Sequence, residues 1–294
     1  MGSNVDYQHD GNPWVPDILC VQTAGVATLT RGPTMSDSLN RQLRDGTHTV
    51  GTWISIGHPS VAEMSASLGF DFLLIDTEHT TMSLETVENI VRAADAADGE
   101  APTVVRVPWN DPVRIKRVLD IGVDGVMVPM VESADEAREL VSATRYPPEG
   151  KRGIAAGRAT DYGLHFEEYV RNADGSILTV VQIETETGLA NVDEIAAVDG
   201  VDALFVGPAD LSGSLDVFAQ WESDRLADAI DDVVATARET DTPVGTLTLK
   251  RGDIPVRIEQ GFDFLIVGKD TATLAAANKE ALAEYKRALR EHEE

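Results

Sequence analysis

Val180-Val181-Gln182-Ile183-Glu184-Thr185-Glu186-Thr187 is an apolar run that ends abruptly in carboxylates. A strand buried on both faces of a parallel sheet reads this way when its last residues reach a polar site. Gln182 and Glu184 are two apart, so they share one face of that strand. A second run of the same kind, Ala203-Leu204-Phe205-Val206-Gly207-Pro208, leads into Ala209-Asp210-Leu211-Ser212. Glu184 and Asp210 therefore stand at the ends of successive strands.

Outward from this pair, strands and helices alternate. The apolar pattern predicts strands at Val50–Ile56, Phe70–Ile75, Thr103–Val107, Val126–Val131, Leu178–Ile183, Ala203–Val206, Val244–Leu249 and Phe264–Val267. Helices fill the gaps. One has Asp111 as N-cap with Pro112 at its first position, and another has the capping box Ser133 and Glu136. The last helix spans about Thr271 to His292. Eight strands, each followed by a helix, match an α/β fold of the (β/α)8 TIM-barrel type. There is no G-x-G-x-x-G and no Walker loop to favour a doubly wound sheet. Residues 1–34 follow neither period and contain the breakers Asn12-Pro13-Trp14 and Gly32-Pro33. They read as a disordered leader or a mis-called start, and 35–294 as a single barrel domain opened by Leu39 and Leu43. A truncation from Met35 that lost folding would refute this.

The 294-residue chain carries 50 Asp and Glu against 24 Lys and Arg, a formal net charge of −26. That balance repels nucleic acid and anionic membranes, and neither is expected as a partner. The acids are spread along the chain, which suggests a halophilic protein; an ordinary acidic protein is the alternative, and activity against KCl concentration separates them. The one cysteine, Cys20, excludes an intrachain disulfide and a multi-cysteine metal site. No apolar run approaches the ~20 residues of a membrane span, and no signal-peptide pattern opens the chain. A soluble, cytoplasmic protein is expected.

Barrel enzymes of this type place their chemistry at the C-terminal ends of the strands. Those ends offer Asp76, Glu78 and His79; Arg106; Gln182, Glu184 and Glu186; Ala209 and Asp210; and Lys269 with Asp270. Glu184 and Asp210 are hard oxygen donors that suit Mg2+ or Mn2+ better than zinc. Their alternative reading is as acidic residues favoured at helix N-termini. His79 suits a general base because imidazole titrates near neutrality, and it also suits a solvent-facing cap. Arg106 could stabilise an oxyanion or pair structurally with Asp76 or Glu78.

Six ordered segments carry a resemblance to a known family: Asp76-Thr77-Glu78-His79, Val105-Arg106-Val107-Pro108-Trp109-Asn110-Asp111, Val128-Pro129-Met130-Val131, Arg145-Tyr146-Pro147-Pro148, Val181-Gln182-Ile183-Glu184-Thr185 and Gly207-Pro208-Ala209-Asp210-Leu211-Ser212. Together they resemble the HpcH/HpaI aldolases, class II pyruvate aldolases with a barrel of the phosphoenolpyruvate/pyruvate type. The resemblance runs from about Met35 to the C-terminus. It implies an aldehyde-lyase that cleaves a 4-hydroxy-2-oxo acid, such as a 2-keto-3-deoxy sugar acid, to pyruvate and an aldehyde. Glu184 and Asp210 would hold the divalent metal (Mg2+ or Mn2+, possibly Co2+). Gln182 and the backbone at Ala209 and Asp210 would contact substrate. His79 would act as base, and Arg106 with the metal would stabilise the pyruvate enolate. Asp120 would support His79, although Asp120 falls at the far end of its helix. That position suggests a contribution from a neighbouring chain. The resemblance also implies a homo-oligomer, a hexamer or trimer of dimers, with the last helix swapped between subunits.

The Gly153–Gly163 loop and the segment from Gly213 to Trp221 depart from the family pattern and are expected to face the aldehyde half. Three other functions remain open at this point. A citryl- or malyl-CoA lyase would need cations for the CoA phosphates, which this acidic rim lacks. A Schiff-base aldolase would need a lysine inside the barrel, with Lys250 and Lys269 as candidates. A non-catalytic metabolite-binding barrel would be expected to lose some of His79, Arg106, Glu184 and Asp210.

Overall fold

The computed structural model describes residues 39–99 and 101–293; the expectation for residues 1–34 lies outside them. Eight parallel strands close into a barrel, in the order β1 (Thr49–Ile54), β2 (Phe72–Asp76), β3 (Thr103–Arg106), β4 (Gly125–Val128), β5 (Leu178–Ile183), β6 (Ala203–Val206), β7 (Val244–Leu247) and β8 (Phe264–Lys269). Each pairs with the next, and β8 returns to β1. Helices α1 (Leu39–Arg44), α2 (Pro59–Ser67), α3 (Leu84–Ala96), α4 (Pro112–Leu119), α5 (Ala134–Thr144) and α6 (Phe166–Ser176) accompany the first half. They are followed by α7 (Glu186–Ala190), α8 (Val192–Ala196), α9 (Pro208–Ser214), α10 (Asp224–Thr240), α11 (Ile254–Gln260) and α12 (Asp270–Glu293).

Alternation along each strand separates two apolar layers. Outward residues such as Leu73, Ile75, Val105, Val181 and Ile183 pack under the helices. Inward residues Trp53, Phe72, Leu74, Met127, Leu178, Val180, Phe205, Phe264 and Ile266 fill the barrel. The Phe205 ring lies 6.2 Å from Trp53 and 6.1 Å from Phe264. Glycines make room for this filling: a Cβ on Gly51 would strike the Phe72 ring, and one on Gly245 the Phe264 ring. α1 plugs the lower end, with Leu39 and Leu43 joining the inner cluster. Fully burying each leucine stabilises by about 1.5–3 kcal/mol. Asn40 fixes the plug by donating to the Ile177 carbonyl at 3.1 Å, and Arg44 by pairing with Asp202 at 2.5 Å.

Several strand ends differ from the sequence pattern for visible reasons. β1 stops at Ile54 because the N–H groups of Ser55 and Ile56 donate to the Asp270 carboxylate, at 2.9 and 2.7 Å. β4 stops at Val128 because Met130 adopts φ 55°, a left-handed conformation that ends a strand. β8 runs on to Lys269 through a shift in its register with β1. The Gly153–Gly163 loop lies between α5 and α6, on the path from helix back to β5, so within its own subunit it lies against the C-terminal ends of α3 and α4, away from the strand ends that carry the site. There Arg158 donates to the Ile121 carbonyl at 2.7 Å and pairs with Asp95 at 2.5 Å. The expectation that this loop faces the aldehyde half therefore fails within one subunit: connections from helix back to strand sit at the N-terminal face of the barrel. The segment after α9 does lie on the strand-end face, and Phe218 and Trp221 on it are exposed.

Candidate active site

The inward alternation that fills the barrel also builds the site. On β2 the inward series Phe72, Leu74 is followed by Asp76; on β3 Val104 is followed by Arg106; on β5 Leu178 and Val180 are followed by Gln182 and then Glu184. Each strand thus changes from apolar to polar on the same face at its upper end. Ladder register brings Asp76 level with Arg106, and Gln182 level with Phe205.

Arg106 is 5% exposed and Asp76 fully buried. The Arg106 Nε and Nη2 donate to the two Asp76 oxygens at 3.0 and 2.9 Å, a bidentate pairing that fixes the guanidinium plane. Its Nη1 lies 2.9 Å from a Glu78 oxygen, and its carbon lies 4.5 Å over the Trp53 ring. Burial pushes Asp76 up, but the Arg106 fork and the N–H groups of Glu78 and His79 outweigh it and hold the carboxyl below its usual value. Glu78 is raised, first by burial, with Arg106 opposing. The structural pairing left open by the sequence is therefore present with both acids. Its hydrogen bonds to Asp76 use two of the five guanidinium N–H groups; the Nη1 contact is an ion pair, since that Glu78 oxygen has no hydrogen-bond partner.

Glu184 is 2% exposed and lies just past β5. One of its oxygens accepts the Met130 N–H at 3.0 Å, and the other accepts the Gln182 amide. The left-handed turn at Met130 aims that N–H inward, at a backbone cost of about 1 kcal/mol. Burial and then the nearby Asp210 charge push Glu184 up to about 8. Asp210 and Ala209 are exposed in the first turn of α9. A Cβ on Gly207 would strike a Glu184 oxygen and come within 2.6 Å of the Gln182 amide nitrogen, so only glycine leaves Glu184 in place. Gly207→Ala is accordingly expected to lower turnover at least tenfold while the barrel still folds, checked by initial rates beside the thermal unfolding midpoint.

These residues pass a test for a divalent cation. Among the described residues no three His, Cys, Asp or Glu side chains form a protein-only cage. Glu184 and Asp210 instead offer two hard oxygen donors on one rim, and Mg2+ characteristically uses one or two carboxylates with substrate and water oxygens. The buried Gln182 Oε1 has no hydrogen-bond partner. A buried carboxylate raised to about 8 and facing a second acid is short of positive charge.

His79 follows β2 with its side chain 64% exposed, and its Nε2 is 3.8 Å from a Glu78 oxygen. Asp120 is not part of this cluster. It caps the C-terminus of α4 and pairs at 3.1 Å with Arg152, whose side chain is wholly buried and lies 4.5 Å over the Tyr146 ring. Glu186, left without a role by the sequence, pairs with Arg225 at 2.8 Å. The contribution of Met130 was not legible, since it is made by a backbone N–H that no residue type marks.

Residues 49–277 match the family model described as HpcH/HpaI aldolase/citrate lyase. The chain is 37% identical over 250 residues to a 4-hydroxy-2-oxovalerate aldolase of Novosphingobium aromaticivorans, covering 85% of this chain and 95% of that one. It is 39% identical over 251 residues to a 4-hydroxy-2-oxo-heptane-1,7-dioate aldolase of Shigella sonnei, covering 85% and 94%. Its fold superposes on the crystal structure of an HpcH/HpaI aldolase/citrate lyase family protein from Burkholderia cenocepacia J2315 with a TM-score of 0.83 and 35% identity, covering 85% and 100%. The chain is thus an enzyme of lyase type for small 2-oxo-acid-like substrates, and it belongs to the HpcH/HpaI aldolase/citrate lyase family.

Proposed function

We propose that the enzyme cleaves a 4-hydroxy-2-oxo acid to pyruvate and an aldehyde, with a divalent metal held by Glu184 and Asp210. The observation that carries this reading is the pairing, in one inward layer, of a charge-starved Glu184 with a clamped Arg106. Mg2+ or Mn2+, with Co2+ as a further candidate, would supply Lewis-acid polarisation of the 2-oxo group. Gln182 and the backbone at Ala209 and Asp210 would orient the substrate carboxylate. His79 would take the proton from the 4-hydroxyl. The bond between carbons three and four then breaks, its electron pair passing into the 2-oxo group. The N–H groups of Arg106 that are not bonded to Asp76 would stabilise the enolate oxygen, and protonation at carbon three completes pyruvate. The test is pyruvate release from 4-hydroxy-2-oxo acids, including 2-keto-3-deoxy sugar acids, before and after EDTA. Activity should vanish with chelation and return with Mg2+ or Mn2+; full activity after chelation would sink the metal reading.

Asp120 would serve His79 of another subunit, and two features support an oligomer. α12 has no buried residue. Its exposed Leu274, Leu282, Tyr285 and Leu289 fall on one stripe at helical spacing. The place an eighth helix would cover, between β1, β8 and α11, is instead a cleft of about 250 Å3 lined by Val50, Ile254, Ile258, Phe262 and Val267. A swapped α12 would fill it. Sedimentation should show an oligomer, and Leu282→Asp should both dissociate it and reduce activity; a fully active monomer would defeat the swap and the shared site together.

A further inference from the structure

The register shift in β8 turns one side chain around. Against β1, Gly51 pairs with Ile266 and then Trp53 with Lys269. Two steps on β1 match three on β8, which is a β-bulge. Residues paired across parallel strands present their side chains to the same face. Trp53 belongs to the barrel interior, so Lys269 faces inward as well. The two residues before it agree. Val267 packs with the outer layer, and a Cβ on Gly268 would meet the side chains of Thr273 and the outward Thr52 at 3.6 and 3.8 Å. Simple alternation from Ile266 would have sent position 269 outward.

The residue so re-aimed is a lysine, in a chain with 24 basic against 50 acidic residues. It is half-buried, and among the described residues its ammonium makes no hydrogen bond or ion pair. Lys250 and Arg251, both exposed, follow the adjacent β7. Acids follow these strands too: Asp253 comes after Arg251, and Asp270 accepts the Ser55 and Ile56 N–H groups. Glu184 and Asp210 stand at β5 and β6 without a basic residue in their turns, whereas the ends of β7 and β8 also carry Lys250, Arg251 and Lys269. In barrels of this kind the loops after strands seven and eight frequently bind anionic groups. Arg106 stacks 4.5 Å over the ring of Trp53, and Trp53 is the ladder partner of Lys269.

We propose that Lys269 binds a second carboxylate, at the far end of the aldehyde half, and so selects 2-oxo acids with an acid group at each terminus. This rests on the aldolase reading for which end reacts. The experiment is calorimetric titration of the metal-loaded enzyme, at fixed ionic strength, with two probes that lack the 4-hydroxyl and cannot be cleaved: 2-oxoheptanedioate and 2-oxoheptanoate. The wild type should bind the dianion about tenfold more tightly, the scale of one charge-assisted hydrogen bond. Lys269→Met should lose that preference and leave 2-oxoheptanoate binding unchanged, and Lys269→Arg should keep most of it. Equal weakening of both probes, or of neither, would overturn the proposal. So would borohydride trapping of pyruvate on Lys269, which would make it an imine-forming residue. Failure of the aldolase reading would show separately, as no pyruvate release by wild type from any 4-hydroxy-2-oxo acid tried.

Discussion

Glu184→Gln is expected to lower kcat/KM for pyruvate release by about three orders of magnitude or more, the combined scale of a lost metal ligand and lost electrostatic stabilisation. The substitution is nearly isosteric, so the Met130 N–H can keep an acceptor at the same place. What disappears is the negative charge that would hold the cation opposite Asp210. Metal titration by calorimetry should show the same loss without any turnover. A second readout comes from stability. An acid raised from 4.5 to about 8 in the folded chain binds more protons folded than unfolded across that interval, so metal-free stability falls as pH rises through it. The unfolding midpoint of metal-free wild type should therefore drop, relative to Glu184→Gln, between pH 5 and 8. Parallel midpoints across that range, with wild-type metal affinity in the variant, would remove Glu184 from the metal site.

Arg106→Lys is expected to reduce kcat by about 10²–10³-fold, the usual scale for one oxyanion donor group. Charge is retained, but the fork is not. Lysine cannot bridge both Asp76 oxygens and stay paired with Glu78 while presenting further N–H groups to substrate. Stability should fall too. Removing one partner of a buried pair outright costs about 3–5 kcal/mol, and lysine, which keeps a charge, should cost less. The sign with pH is opposite to that of Glu184. Asp76 is depressed when folded, so its contribution is present above its unfolded pKa and is lost as pH falls through the folded one. Weakening the pair should move acid unfolding to higher pH. A variant with wild-type kcat and an unchanged acid limb would leave Arg106 a structural residue only.

Fold and site were legible to different depths. The eight-strand count followed from apolar runs spaced by helical patterns, because a parallel barrel buries both faces of every strand and writes that burial into composition. The rim residues were legible for the same reason: Asp76, Arg106, Gln182 and Glu184 are polar interruptions on an inward face that is otherwise apolar. Asp120 had no such mark, since a charge at a helix C-cap looks like any surface charge. Which lysine faces the barrel was not readable either. Lys250 and Lys269 both stand near strand ends, and only a bulge of one residue separates inward from outward.

By itself, the sequence determined the barrel, the order of its strands and the chemistry at their upper ends, since burial and two-residue alternation act locally on residue type. Tertiary structure alone decided that Arg106 is clamped by two acids, that the Met130 N–H and Gly207 hold Glu184 in a charge-poor position, and that α12 leaves its own barrel uncovered. It also turned Lys269 inward. Each of these depends on register and backbone conformation, which come from neighbouring strands and not from the residue itself.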